Sequence, residues 1–203
     1  MEITRTVRIV TLGNTYGHDI GLLPPGDILI HTGNFTDIDE YDALLFINWL
    51  ESQPYNYKII LSGVSESIKI KKLIMNCASP NIIYLDGATT IIYGLRIHSV
   101  TKLTDVELTV SDIDTNYDII VSNLPPHGLL DEDEFNVNMG SKRLGAALVK
   151  YPPRVVICGS VSYSNGVARY KNTTIVNSAL YYWSSMRKKY IRGGSPIVVD
   201  ITI

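Results

Sequence analysis

The sequence predicts an α/β fold, a sandwich of two sheets flanked by helices. Apolar runs of strand length alternate with loops carrying Gly, Pro, Asn and Asp. Strands outnumber helices, in the order β, β, α, β, α and then mostly β, which suits two packed sheets better than a doubly wound one. The chain has 203 residues, 45% of them hydrophobic. That is enough to bury a sizeable core and is read as one domain over 1–203. Strands are expected at Thr6–Leu12, Ile28–His31, Lys58–Leu61, Ile82–Leu85, Thr90–Tyr93, Leu95–Ser99, Asp118–Ser122, Arg154–Cys158, Thr174–Asn177 and Ile197–Ile201. Three stretches have helical spacing. Tyr41–Glu51 places Leu44, Leu45, Asn48 and Trp49 on overlapping faces, and Glu66–Cys77 carries Ile70, Leu73 and Ile74. Ser141–Tyr151 sets Leu144, Ala147 and Leu148 at i, i+3, i+4, a core-facing stripe.

Composition excludes several classes. No apolar run approaches the ~20 residues of a membrane span, and the first residues lack the pattern of a signal peptide. Cys77 and Cys158 lie in apolar stretches, as reduced, buried thiols of a cytoplasmic protein do. The net charge of −2 offers no field for nucleic acid. The chain has 26 Ile against 7 Ala. Ile, Asn, Tyr and Lys have AT-rich codons, so this bias points to an AT-rich genome, that of a large DNA virus or of a low-GC cell.

Five apolar strands each run into a short polar turn: Gly13–Gly17, His31–Thr36, Ser62–Glu66, Ser122–Pro126 and Cys158–Ser162. Outside the strand ends of α/β sheets such turns collect ligand and catalytic groups. Equally, they are what plain turns look like.

In order and spacing the five turns resemble the motifs of the calcineurin-like metallophosphoesterases, Asp-x-His, Gly-Asp, Gly-Asn-His-Asp/Glu, a lone His and Gly-His-x-His. The flanks are most similar to the MPPED (metallophosphoesterase-domain-containing) branch. The likeness rests on Gly26–Thr36, Trp49-Leu50, Pro54-Tyr55 with Tyr57-Lys58-Ile59, Pro125-Pro126, and Thr173-Thr174 before Asn177. It spans nearly the whole chain but is weak from about Ile68 to Asn116, where the chain is shorter than its relatives. The resemblance implies a two-sheet sandwich of the metallophosphoesterase type. In the family, two divalent ions about 3.5–4 Å apart clamp a phosphate and activate water.

Carried over position by position, the ligands are missing. Asn14 stands for the first Asp and Tyr16 for its His, and Asn34 for the bridging Asp. Val64 replaces the ligand Asn and Ser65 the acid His, while Glu66 remains. Asn123 takes the place of the lone His, and Ser160 and Ser162 that of the last two His. Divalent cations favour carboxylate and imidazole over neutral amide or hydroxyl. The resemblance therefore implies a pseudoenzyme without metal or other cofactor. It would be a cytoplasmic scaffold for a protein partner or, if viral, an assembly or host-interaction factor in the host cytoplasm or virion. Two alternatives stand beside it, a nucleotide- or phosphate-binding module in the altered pocket, and a residual metal-dependent phosphodiesterase.

Few other groups could rebuild a site. His18 and His127 follow the first and fourth turns, within expected reach of the pocket together with Asp19 or Asp27. His31 is expected to pack or hydrogen-bond on its strand, and no pair has ligand spacing. Ser160-Val-Ser162 has no base beside it. Tyr181, Tyr182, Trp183, Met186, Arg187 and Lys188 combine the residue types enriched in interface cores. They are read as a partner surface or as a connection with its aromatics turned inward. Asp131–Glu134 reads as a solvated acidic loop.

Overall fold

A computed structural model describes residues 4–36, 40–63, 66, 68–77, 79–100 and 117–203, apart from the side chains at 40, 68, 71 and 77. The elements run β1 (Thr6–Leu12), β2 (Ile28–His31), α1 (Glu40–Ser52), β3 (Tyr57–Ile60), α2 (Ile68–Cys77), β4 (Ile82–Tyr84), β5 (Thr89–Ile92), β6 (Leu95–Val100) and β7 (Ile119–Ser122). They continue with α3 (Lys142–Lys150), β8 (Val155–Cys158), a 3-10 turn at Ser162–Ser164, β9 (Gly166–Tyr170), β10 (Thr173–Asn177), β11 (Tyr181–Ser184), β12 (Lys189–Arg192) and β13 (Ile197–Thr202).

Two sheets form the sandwich. One has the order β13-β1-β2-β3-β4, the other β5-β6-β7-β8-β10-β9. β1 to β4 are parallel to one another, as are β6, β7, β8 and β10; antiparallel β13, β5 and β9 close three of the four outer positions, and parallel β4 the other. Strands buried on both faces read as continuous apolar runs, as β2 (ILIH) and β8 (VVIC) do. Val7, Ile9, Ile28, Ile30 and Ile59 of the first sheet interleave with Ile97, Ile119, Val121, Val155 and Ile157 of the second. The outer face of the first sheet is covered by α1 and α2, that of the second by α3. Ser141 caps α3, its hydroxyl accepting from the Leu144 amide at 3.2 Å, and Leu144, Ala147 and Leu148 are buried as the spacing requires.

Three expectations change. On α1 the buried face is Ala43, Phe46, Ile47 and Leu50, while Leu44 and Leu45 face solvent. The helix is apolar nearly all round, so more than one stripe fits the 3.6-residue period, and packing against the sheet selects between them. β9 was not expected. It is an edge strand whose side chains are alternately exposed, so it carries no apolar run. The segment from Leu180 to Arg192 is no mere connection but a β11–β12 hairpin, whose two strands pair with each other alone among the described residues. Its alternation is obscured by four consecutive aromatic and serine residues, Tyr181 to Ser184.

Candidate functional site

Parallel strands of both sheets present their carboxyl ends at one edge of the sandwich, and within each sheet the turns there are bonded to their neighbours. The Thr32 amide donates to the Leu12 carbonyl (2.9 Å), the Asn14 amide to Gly33 (2.9 Å) and the Gly159 amide to Asn123 (3.0 Å). Gly13 and Gly159 both lie against Thr32, and a Cβ at either would collide with its hydroxyl. Four non-glycine residues here have left-handed backbone: Asn14 (φ 53°), Tyr16 (46°), Asn34 (58°) and Ser160 (69°). Such conformations persist only where their surroundings fix them.

At the centre stands the Asn14 amide. Its Oδ1 accepts from Asn34 Nδ2 (2.9 Å) and from the Ser160 amide (3.2 Å). Its Nδ2 donates to the Ser160 carbonyl (2.9 Å) and lies 3.4 Å from Ser162 Oγ. Ser162 Oγ in turn donates to the Tyr181 carbonyl at 2.6 Å. Asn123 Nδ2 donates to the Thr32 carbonyl at 2.8 Å. Asn14, Asn34, Asn123 and Ser162 are all less than 5% exposed. Five of the eight substituted positions, Asn14, Asn34, Asn123, Ser160 and Ser162, are thus brought into one cluster. Tyr16 stands at its rim, stacked on Tyr190 with ring centroids 4.6 Å apart. Val64 and Ser65 lie outside the described residues, as does the Cys77 side chain.

Glu66 ties the second turn to the third. Its carboxylate accepts from the amides of Phe35 (2.7 Å), Asn34 (3.1 Å), Thr36 (3.4 Å) and Gly63. Burial pushes its pKa up, and the four N–H groups oppose that shift. Behind this turn His31 is fully buried. Its Nδ1 accepts from the Gly33 amide (3.2 Å) and its Nε2 lies 3.0 Å from Thr15 Oγ1. The neutral ring protonated at Nε2 satisfies both contacts, and burial lowers the pKa to about 3.

The donor set can be tested against the two divalent ions of this fold family. The five clustered positions offer neutral amides and hydroxyls, with no carboxylate or imidazole. The Asn14 amide nitrogen has no lone pair to give and is committed as a donor to carbonyl oxygen. Among the described residues no group of three or more His, Cys, Asp or Glu is placed to hold a metal ion. The residues present do not fit the ions.

The surrounding groups fall differently from expectation. Asp27 lies at the amino end of β2, remote from the turns, where it accepts from the Arg8 amide (2.8 Å) and pairs with Arg5 (3.3 Å). A residue preceding a parallel strand is carried to the opposite edge of the sheet from one following it. His127 pairs with Asp131 (Nδ1 to Oδ2, 3.6 Å). Asp131 is 1% exposed rather than solvated. It closes its loop by accepting from Asn138 (2.8 Å) and the Gly140 amide (2.9 Å). His18 does approach the first turn, packing on Tyr181 and Tyr190. Cys158 is buried and free, and its burial raises its pKa beyond the usual thiol range.

The hairpin rises beside this cluster. The Tyr181 amide donates to the Asn14 carbonyl (3.1 Å). Tyr181 and Tyr182 are half-buried, Trp183 is 55% exposed and Met186 93%. Arg187 and Lys188 lie exposed at the turn. Tyr190, which the sequence did not single out, binds the hairpin to the site by packing on Tyr16, His18 and Trp183.

A sandwich of two parallel-rich sheets, with polar turns gathered at the strand ends, is the architecture of the calcineurin-like metallophosphoesterases. Among solved structures it is similar to phosphopantetheinyl hydrolase of Mycobacterium tuberculosis, with TM-score 0.64, 9% identity, and 93% of this chain and 95% of that one covered. TT1561 of Thermus thermophilus gives TM-score 0.61 and 12% identity over 94% and 99%. GAP50 of Plasmodium gives TM-score 0.60 and 10% identity over 96% and 81%. These likenesses show the fold. In sequence, the chain is 25% identical to human metallophosphoesterase domain-containing protein 1 over 244 positions, covering 96% of this chain and 71% of that protein. It is 24% identical to a UPF0046 protein of Caenorhabditis elegans, covering 97% and 82%. No family model matches the chain. In sequence and in fold the chain is thus metallophosphoesterase-like, and its curated relatives place the likeness on the MPPED side of that superfamily.

Proposed function

We propose that this chain is a catalytically inactive metallophosphoesterase homologue that works as a platform for a protein partner. The observation that carries this reading is the Asn14 amide, hydrogen-bonded to Asn34 and Ser160 where the family places metal-ligating carboxylate and imidazole. A neutral cluster whose polar atoms are bonded to one another has little to offset the dehydration of two divalent ions. The same burial leaves the nucleotide-binding alternative with less support, since Asn14, Asn34, Asn123 and Ser162 are turned into the protein. The fold itself is neutral on the question. It is shared by a structure described as phosphopantetheinyl hydrolase and by one described as the anchor in the inner membrane complex of Plasmodium.

The partner surface on this reading is the hairpin, with Trp183 and Met186 outward, Tyr181 and Tyr182 at its base, and Arg187 and Lys188 at its turn. Its setting is the cytoplasm or, for a viral chain, the host cytoplasm or virion. Metal analysis of the purified chain and phosphodiesterase assays in Mn²⁺ test inactivity. The expected result is substoichiometric metal and no turnover, and about two metals per chain with turnover overturns it. Affinity purification from the native cell tests the platform. A stoichiometric partner is expected, and it is to be lost with Tyr182→Ala plus Trp183→Ala.

A further inference from the structure

A second protruding element stands beside the hairpin. The loop at 131–140 folds back on itself, with Glu132 bridged to Asn138 as an antiparallel pair and the Met139 amide donating to the Asp131 carbonyl (2.8 Å). Inside it, Asp133 Oδ1 accepts from the amides of Phe135 and Val137, both at 2.9 Å. A backbone fixed in this way has little left to order on binding. It nevertheless holds apolar groups out in water. Phe135 is 74% exposed, and Val137 and Met139 are each more than half exposed. The 3-10 turn ties this loop to the hairpin. The Tyr163 hydroxyl donates to Glu134 (2.9 Å), the Ser164 hydroxyl donates to the Glu132 carbonyl (2.8 Å), and the Tyr163 ring packs on Tyr182 at 4.3 Å between centroids.

Charge is segregated over the same surface. The loop carries Glu132, Asp133 and Glu134, and the hairpin turn carries Arg187, Lys188 and Lys189. Among the described residues no ion pair joins the two groups. By register Lys189 stands on the Tyr182 face of the hairpin, and Trp183 and Tyr190 stand on the other. A partner for this face must offer a basic lobe to the loop, an acidic lobe to the turn and an apolar strip between them. A polyanion such as nucleic acid or an acidic membrane meets the loop's carboxylates and is repelled. A second copy of this chain meets all three demands, because a two-fold axis sets each loop against the other copy's hairpin turn. We infer that this chain forms an isologous dimer through the loop at 131–140 and the hairpin turn of each copy. The dimer face shares only the hairpin turn with the partner surface proposed above, on whose exposure it rests, and Trp183 lies outside it.

Sedimentation velocity of the purified chain from about 1 to 100 μM tests this. A concentration-dependent dimer is expected. Phe135→Ala plus Met139→Ala is expected to weaken it about tenfold or more, with unchanged circular dichroism. Trp183→Ala is expected to leave it intact. A charge exchange gives the sharper test. Glu132→Lys plus Glu134→Lys reverses the loop, and Arg187→Glu plus Lys189→Glu reverses the turn, so each variant alone is expected to be monomeric. Mixed in equal amounts, the two are expected to restore the dimer, since each lobe again meets its opposite. A chain monomeric at every concentration, a dimer indifferent to the loop and turn substitutions, or folded variants that stay monomeric when mixed would each overturn the inference. A different protein captured from the native cell through Trp183 would still stand in any of these cases, so the platform reading fails or holds separately.

Discussion

Two neighbouring regions of this molecule handle polar and aromatic groups in opposite ways. At the strand ends Asn14, Asn34, Asn123 and Ser162 are buried and bonded across both sheets. Beside them the strands of the β11–β12 hairpin pair with each other and leave Trp183 and Met186 in solvent. Buried polar groups must be satisfied, so the cluster's hydrogen-bonding capacity is turned inward and holds the fold together. The hairpin's side chains are not needed in that way. The difference separates a region whose substitution should cost stability from one whose substitution should cost recognition.

The largest expected effect tests the inward half through pH. His31 is fully buried and neutral, its pKa lowered to about 3 from the ordinary 6.5. The unfolded chain takes up a proton near pH 6.5 while the folded chain refuses it until about pH 3. Stability is therefore full above 6.5 and falls by about 1.4 kcal/mol per pH unit below it, on the order of 4 kcal/mol by pH 3.5. Urea unfolding across this range, compared with His31→Gln, isolates the contribution. Equal slopes in the two proteins would show that the ring is not held neutral.

Next comes Asn14→Asp, which is nearly isosteric. It turns the donor facing the Ser160 carbonyl into an anion facing that same oxygen, at an expected cost of about 3 kcal/mol at pH 7. The shift in urea midpoint measures it. Millimolar Mn²⁺ is expected to leave that midpoint in place, because one restored carboxylate does not make a binuclear site. Recovery of the lost stability with Mn²⁺ would break the contrast between the regions, since the cluster would then still be a metal pocket.

Much of the fold was legible in the sequence because burial on both faces writes uninterrupted apolar strands. The bounds of β1 and β2 fall where the runs begin and end. β9 and the hairpin were hidden because strands with one wet face, or held by cross-strand aromatic contacts, carry little apolar signal. Around the site, the turns and their altered positions could be read from spacing. The hydrogen bonds that fill the cluster could not, because they join residues up to 167 positions apart. Asp131 shows the same limit, since an acidic run looks solvated until a Gly140 amide and an Asn138 side chain close on one of its members. Glu66 had a detectable signal, a lone carboxylate three residues after Gly63 in a turn otherwise stripped of charge.

Glu66→Gln is the third test. The carboxylate accepts four backbone N–H groups with two oxygens, and Gln replaces one oxygen by a donor that must face amide hydrogens. A loss of about 2 kcal/mol is expected in denaturant unfolding, with hydrogen exchange accelerated at Asn34, Phe35 and Gly63. Unchanged exchange there would mean that the two turns are held together without this clamp.

The smallest stability effect carries the most weight for function. Trp183 is 55% exposed, and its ring contacts Tyr190, 5.3 Å between centroids at 73°. Removing an indole so placed is expected to change stability by less than about 0.5 kcal/mol. Tyr190 remains stacked on Tyr16 beneath it, so the hairpin keeps its anchor. An interface hot spot behaves otherwise, since truncation of a central Trp commonly costs about 2 kcal/mol or more of binding. Trp183→Ala should thus leave the thermal unfolding midpoint almost unmoved while partner capture falls by more than tenfold. A variant that unfolds readily would make Trp183 part of the fold's support, and one that keeps its partner would move the recognition surface elsewhere.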